Sequence, residues 1–278
     1  MPTEVLSPHF LPRVKQELRL RHYSPRTIGT YLACLRGYVD WLAPTAPRQA
    51  LPHQPRSYLV RLVEYGASRS LLDQHVSAIK FVYVVLYGWP PERLDVPRPR
   101  KERRLPGVPT REEVIRLAEA ISNARHRLAV LLCYGSGLRV SELVNLDVGD
   151  VDMVNLLVRV RCGKGRKDRL TVLSSALIPA LQAHMRGRSR VAPVFESQQG
   201  GRWSVRSMQH TVQRARIRSG IPTRVTPHSL RHAFATHLLE SGTSLRAIQA
   251  LLGHARVQTT VRYTRMTDPN RMRLVSPL

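Results

Sequence analysis

Six side chains stand out for the chemistry their types and settings could perform: Arg139, Lys164, His228, Arg231, His254 and Tyr263. They sit in four short motifs, Gly137-Leu138-Arg139-Val140-Ser141-Glu142, Gly163-Lys164-Gly165, His228-Ser229-Leu230-Arg231-His232 and Leu252-Gly253-His254, with Tyr263 following between Arg262 and Arg265. Two guanidinium groups can clamp the non-bridging oxygens of a phosphate, where each such donor is worth roughly 10²–10³ in rate. A tyrosine can attack the phosphorus, but with an ordinary pKa near 10 only about one in a thousand is ionised at neutral pH, so it needs cationic neighbours or a base. A lysine can protonate a departing alkoxide, which an arginine cannot do, and histidines can carry protons either way. This set can break and remake a phosphodiester without metal or nucleotide.

Each piece has a plainer reading. Arg139 and Glu142, three apart, could be a surface ion pair of little worth. His228 could cap a helix, and Tyr263 could be an ordinary helical tyrosine. His232 points away from Arg231 on the same helix and suits packing or capping better than chemistry, and His237 is no stronger a candidate. Tyr31, Tyr38, Tyr83 and Tyr87 fall on apolar helical stripes and are expected in a core. The order and the expected helix-start placements of the six are what favour the chemical reading. His228 and Arg231 should share the first turn of a helix, where free backbone N–H groups also face an anion.

The elements that must position these residues fall into two parts. Residues 10–90 read as helices. Ser24 and Pro25 open one whose apolar residues Ile28, Tyr31, Leu32, Leu35, Tyr38, Val39 and Leu42 recur at a helical period, and Pro44 and Pro47 follow it. Further helices are expected over about 54–65 and 70–87, the last stopped by Gly88-Trp89-Pro90-Pro91. Residues 1–95 thus form a helical domain, 96–108 a proline-containing basic linker, and 109–278 a second domain. Five cations crowd the linker: Arg98, Arg100, Lys101, Arg103 and Arg104.

In the second domain Thr110 and Glu113 fit a capping box. Helices are expected over about 126–134 and 140–145. Residues 156–161 and 169–173 read as two strands joined through Gly163-Lys164-Gly165. Helices return from Leu177, the last at about 229–241, 244–252 and 257–265. The fold class is therefore mainly α with a small antiparallel β-sheet.

Charge points to a polyanion. The chain carries 44 basic and 19 acidic residues, net +25, far beyond the magnitude of about 2–8 that solubility needs. Residues 1–95 hold +5 of it and residues 96–278 hold +20. Only five cations are lysines, which makes Lys164 and Lys167 conspicuous; Lys167 fits a phosphate contact. No apolar run approaches a membrane span and no secretory leader is visible in the first twenty residues. Cys34, Cys133 and Cys162 show neither disulfide nor zinc spacing, so a reducing, cytoplasmic setting is expected, and with no P-loop, metal cluster or nucleotide fingerprint in the sequence no cofactor is expected.

Taken together, the four motifs and Tyr263 resemble the tyrosine recombinases, or phage integrases, of the Xer-like and transposon-integrase kind. The resemblance spans the chain: residues 10–90, with Ser24-Pro25-Arg26-Thr27, look like a SAM-like core-binding domain and residues 109–278 like the catalytic domain of a two-domain clamp. It implies that Arg139 and Arg231 bind the scissile phosphate, Lys164 protonates the 5′ oxygen, His228 and His254 assist, Tyr263 forms a 3′-phosphotyrosine, and Glu142 supports Arg139. It implies as partner double-stranded DNA with inverted-repeat sites, bound by a homotetramer on two duplexes that is monomeric or dimeric when free. Pro269 and Pro277 make the stretch after Tyr263 poor material for a long helix docking into a neighbour. A type IB topoisomerase, a DNA binder that does not cut, and a basic RNA-binding protein are the competing readings. Because phosphate contacts release counterions, DNA affinity should fall steeply as salt is raised; a filter-binding series that shows no salt dependence would contradict a backbone-tracking partner.

Overall fold

The computed structural model describes residues 9–98, 107–161, 168–253 and 276–278. The chain divides into two compact units between residues 103 and 104, each with its own hydrophobic core.

The first unit is helical: α1 (Phe10–Leu20), α2 (Pro25–Leu42), α3 (Gln54–Glu64) and α4 (Arg69–Lys80). The Ser24 hydroxyl accepts from the Thr27 N–H at the start of α2, with Pro25 in the first turn, as the sequence suggests. The helix expected over 70–87 changes character: α4 ends at Lys80 and the chain continues as a wider π-helical turn, Phe81–Leu86. Phe81, Val82 and Tyr83 in this turn are all buried in the core of the unit. Tyr38 and Tyr83 are buried and hydrogen-bonded to each other at 2.7 Å; Tyr31 and Tyr87 pack on the same core less deeply. Val96 is buried in this core, so the chain leaves the unit beyond it, and Arg98 is exposed.

The second unit opens with α5 (Arg111–Glu119), capped by the reciprocal Thr110–Glu113 box. Then come α6 (Ala124–Gly135) and the short α7 (Val140–Val144). Three strands follow, β1 (Val151–Asp152), β2 (Leu157–Val160) and β3 (Arg169–Val172), in the antiparallel order β1-β2-β3. The β2–β3 hairpin is the expected one; two-residue β1 is too short to show alternation and was not expected. Helices α8 (Ile178–Met185), α9 (Val205–Arg218), α10 (Pro227–Glu240) and α11 (Leu245–Leu252) follow among the described residues. Among the described residues, no helix is long and apolar enough to cross a membrane.

Helix α6 is the centre of this core. Leu128, Ala129, Val130, Leu132, Cys133 and Tyr134 are all buried, and α10 packs along it through Leu230, Ala233, Phe234 and Leu238. Burial pushes the Cys133 thiol up to about 12, which fits a small apolar core residue. Ser276 and Leu278 also rest on this unit: the Ser276 hydroxyl donates to the Gly135 carbonyl at 2.7 Å, and Ser174 donates to the Leu278 carbonyl at 3.0 Å.

The turn from α6 to α7 depends on Gly137. Its φ is +59°, and a Cβ there would lie 2.4 Å from Phe234 Cδ1. Gly137→Ala should therefore destabilise the fold by about 2–4 kcal/mol, from the left-handed backbone and the overpacked ring together, read as a lower urea midpoint.

Candidate active site

The described part of the site is built around one buried carboxylate. Glu142 lies three residues into α7, its side chain 7% exposed. Its Oε2 accepts from the Arg139 backbone N–H at 2.7 Å, and its Oε1 from Arg139 Nη1 at 2.6 Å. Arg169, at the start of β3, donates to both carboxylate oxygens, Nη1 to Oε1 at 2.8 Å and Nη2 to Oε2 at 2.7 Å. Arg231, on α10, reaches Oε2 with Nη1 at 3.4 Å. The Arg139–Glu142 pair is thus no surface ion pair.

Arg231 is nearly enclosed, 5% exposed. Its Nη1 also donates to the Gly137 carbonyl at 2.7 Å and its Nη2 to the Leu252 carbonyl at 2.5 Å, while Arg169 Nε donates to the Leu251 carbonyl at 2.7 Å. Two orphan carbonyls at the end of α11 are therefore satisfied by arginines. Gly253 ends that helix in the left-handed conformation, φ +64°, and a Cβ there would meet Arg169 Cδ at 2.8 Å, which gives the Leu252-Gly253-His254 motif its glycine.

The electrostatics follow from this geometry. Burial alone would raise the Glu142 carboxyl, but the Arg169 fork, the Arg169 charge and the hydrogen bonds from Arg139 outweigh it and bring the pKa down to about 2. Burial, then the neighbouring Arg139 charge, lower Arg231 to about 10 against the opposing pull of Glu142, so it stays cationic at neutral pH. Three guanidinium groups meet one carboxylate here. The cluster has an excess of two positive charges, an arrangement an anion would complete.

The other expected residues fall as follows. His228 and Arg231 do share the first turn of α10, but His228 is exposed while Arg231 points inward. The cap of that helix is Thr226, whose hydroxyl accepts from the Ser229 N–H at 3.1 Å, so His228 is not the cap. Pro227 has no N–H and that of Ser229 is taken, so the turn offers an anion fewer free donors than expected. His232 is exposed, which corrects the expectation that it packs; His237 is the buried one, its Nδ1 2.7 Å from the Tyr134 hydroxyl.

Lys164, Lys167, His254 and Tyr263, linker residues Arg100, Lys101, Arg103 and Arg104, and the helix expected over 257–265 lie outside the described residues. The base of the β2–β3 connection is held on its described side: Arg161 Nε donates to buried Asp150 at 2.6 Å, and Arg202 secures Asp147 beside it, also at 2.6 Å.

Arg169 is the residue the sequence did not single out. One arginine among 39, at the edge of a short strand, carries no local mark; only the fold shows that it faces Glu142.

Both units match known protein families. Residues 108–269 match the profile of the phage integrase family, and residues 10–89 that of the phage integrase N-terminal SAM-like domain. A tyrosine recombinase XerA from Thermococcus kodakarensis is 39% identical over 256 residues, covering 90% of this chain and 88% of that protein. A tyrosine recombinase XerC from Chlamydia pneumoniae is 34% identical, covering 88% and 89%. A crystal structure of XerA recombinase, 29% identical, aligns over 94% of both chains with a TM-score of 0.51. A lambda integrase dimer bound to a COC′ core site shares the fold, with a TM-score of 0.70 at 21% identity over 88% of this chain and 93% of that one; the same integrase is known as a tetramer on a Holliday junction. This chain belongs to the phage integrase family and is a tyrosine-type site-specific recombinase.

The Glu142 carboxyl gives a test in acid. Its folded pKa lies below its ordinary 4.5, so its contribution to stability is complete above that value and is lost as pH falls from about 4.5 towards 2. The urea midpoint should drop across this window, and the drop should be smaller in Glu142→Gln; equal drops in the two proteins would show that Glu142 is not the carboxylate responsible.

Proposed function

We propose that this protein cuts and rejoins DNA strands through a covalent 3′-phosphotyrosine, using neither metal nor ATP. The observation that carries the reading is the convergence of Arg139 and Arg231, from separate helices, on one buried carboxylate, with cationic charge in excess.

In the proposed reaction Arg139 and Arg231 hold the non-bridging oxygens of the scissile phosphate, with Glu142 orienting Arg139. The Tyr263 oxygen attacks phosphorus and gives up its proton, with His228 or His254 as acceptor. The bond from phosphorus to the 5′ oxygen breaks as Lys164 donates a proton to that oxygen. The products are a 3′-phosphotyrosine and a free 5′-hydroxyl. A 5′-hydroxyl from another strand then reverses these steps. The covalent bond conserves the energy of the phosphodiester, so resealing calls for no nucleotide. A pentacoordinate phosphorane with two negative charges would neutralise the surplus of the arginine cluster, so the site is matched better to the transition state than to the ground state.

Arg98, Arg100, Lys101, Arg103 and Arg104 of the linker and Lys167 of the hairpin would hold DNA backbone. The division into a helical domain (1–95), a linker (96–108) and a catalytic domain (109–278) suits a clamp around a duplex. Family membership supports inverted-repeat sites and a tetramer on two duplexes, formed from free monomers or dimers, and a site of action in the cytoplasm, where the DNA is.

Covalent capture tests the reading. The protein is incubated with sheared genomic DNA from its source, denatured in detergent, and the DNA that stays attached is sequenced. Tyr263→Phe should bind DNA as tightly as wild type and leave no attached DNA, while wild-type adducts should map to one short inverted-repeat site. Recombination by Tyr263→Phe would remove Tyr263 as the nucleophile, and adducts scattered without site preference would favour a topoisomerase.

A further inference from the structure

We infer that Arg169 is a positioning residue for strand cleavage: it holds Glu142 in the geometry that aims Arg139 and Arg231, and with the same guanidinium it fixes the end of α11. The inference rests on the chemistry proposed above.

Glu142 needs an anchor that does not itself move with DNA. Arg139 is a poor one, because its side chain is 28% exposed and is the one meant to reach the phosphate. Arg231 is a weak one, at 3.4 Å and with its donors shared between two carbonyls. Arg169 is 8% exposed and grips both carboxylate oxygens in a planar fork. Its third donor, Nε, is spent on Leu251, and its stem packs where a Cβ on Gly253 would go. Each of the three nitrogens of this guanidinium therefore makes a bond that joins β3 to α7 or to α11. The same guanidinium thus joins the carboxylate that orients Arg139 to the end of α11 at Gly253.

Without Arg169, Glu142 keeps only Arg139 and the distant Arg231. The carboxylate can then follow Arg139 outward, and the aim of both phosphate-binding arginines is lost without loss of their charge. Misplacement of about 1 Å can cost on the order of 10²-fold in rate. The groups facing Glu142 are Arg139 at the start of α7, Arg169 on β3, Arg231 on α10 and the Cys133 thiol of α6. Arg169 supplies the largest of the influences that keep Glu142 ionised, and burial opposes them. Its removal should therefore raise the Glu142 pKa and add a further loss of cleavage at acid pH, beyond the one that a histidine proton acceptor already gives wild type.

The test uses the duplex most enriched by wild-type capture, under single turnover, across a pH series. Arg169→Met should bind this DNA as tightly as wild type but form the adduct about 10²-fold more slowly, with the rate falling further as pH is lowered. In Arg169→Met/Glu142→Gln that additional acid loss should vanish and the pH profile should return to the shape of wild type, and the combined loss should be smaller than the product of the two single losses, because both act through one carboxylate. Arg169→Lys keeps the charge without the fork; it should fold even if Arg169→Met does not, and should cleave more slowly than wild type. Wild-type rates and pH profile in Arg169→Lys or Arg169→Met, or losses that multiply in the double variant, would overturn the inference. Failure of wild type itself to form a Tyr263-dependent adduct would overturn the reaction on which it rests.

Discussion

The second unit is organised around a charge that it could not bury alone. A carboxylate taken out of water costs several kcal/mol unless its partners are close and well aligned, roughly the penalty expected for any buried ion. Glu142 meets that demand with donors from three places in the chain: Arg139 at the start of α7, Arg169 on β3 and Arg231 on α10. The guanidinium groups in turn need acceptors, and they find them in the carbonyls of Gly137, Leu251 and Leu252. None of these elements can shift without breaking hydrogen bonds to a buried ion, so the same network that makes the site cationic also keeps it in shape.

Hydrophobic packing brings the network together, and the network sets the detail. Helix α6 and the face of α10 against it place Arg231 one residue from buried Leu230, pointing towards the α6–α7 turn. That turn is as tight as it is because Gly137 leaves room for Phe234. The first unit has its own core, in which Tyr38, Tyr58 and Tyr83 are buried with their hydroxyls held neutral; burial pushes Tyr38 and Tyr58 up to about 12. These tyrosines lie in the opposite regime from the one a nucleophile needs, which is proximity to cations.

What was legible in the sequence was what local rules encode. Ser24 with Pro25 and Thr110 with Glu113 mark helix starts through contacts three residues apart, and both are present. Arg139 and Glu142 could be paired because α7 holds them one turn apart. The misses come from longer range. The bond from Arg169 to Glu142 spans 27 positions, and nothing near Arg169 announces it. The cap at Thr226 displaced the role considered for His228 because Pro227 takes the first helical position, and the burial of His237 with the exposure of His232 depends on what α6 offers at each point along α10. The π-helical turn at 81–86 continues the apolar stripe of α4 and leaves no mark in the residue pattern that separates it from an ordinary helix.

The central claim is that Tyr263 takes the phosphate and that the DNA remains joined through its 3′ end. Digestion of the detergent-trapped adduct with nuclease and protease, followed by mass spectrometry, tests it most directly. The account predicts a peptide containing Tyr263 that carries a short nucleotide through a 3′-phosphate on the phenolic oxygen. A nucleotide on any other residue, or one joined through its 5′-phosphate, would contradict it.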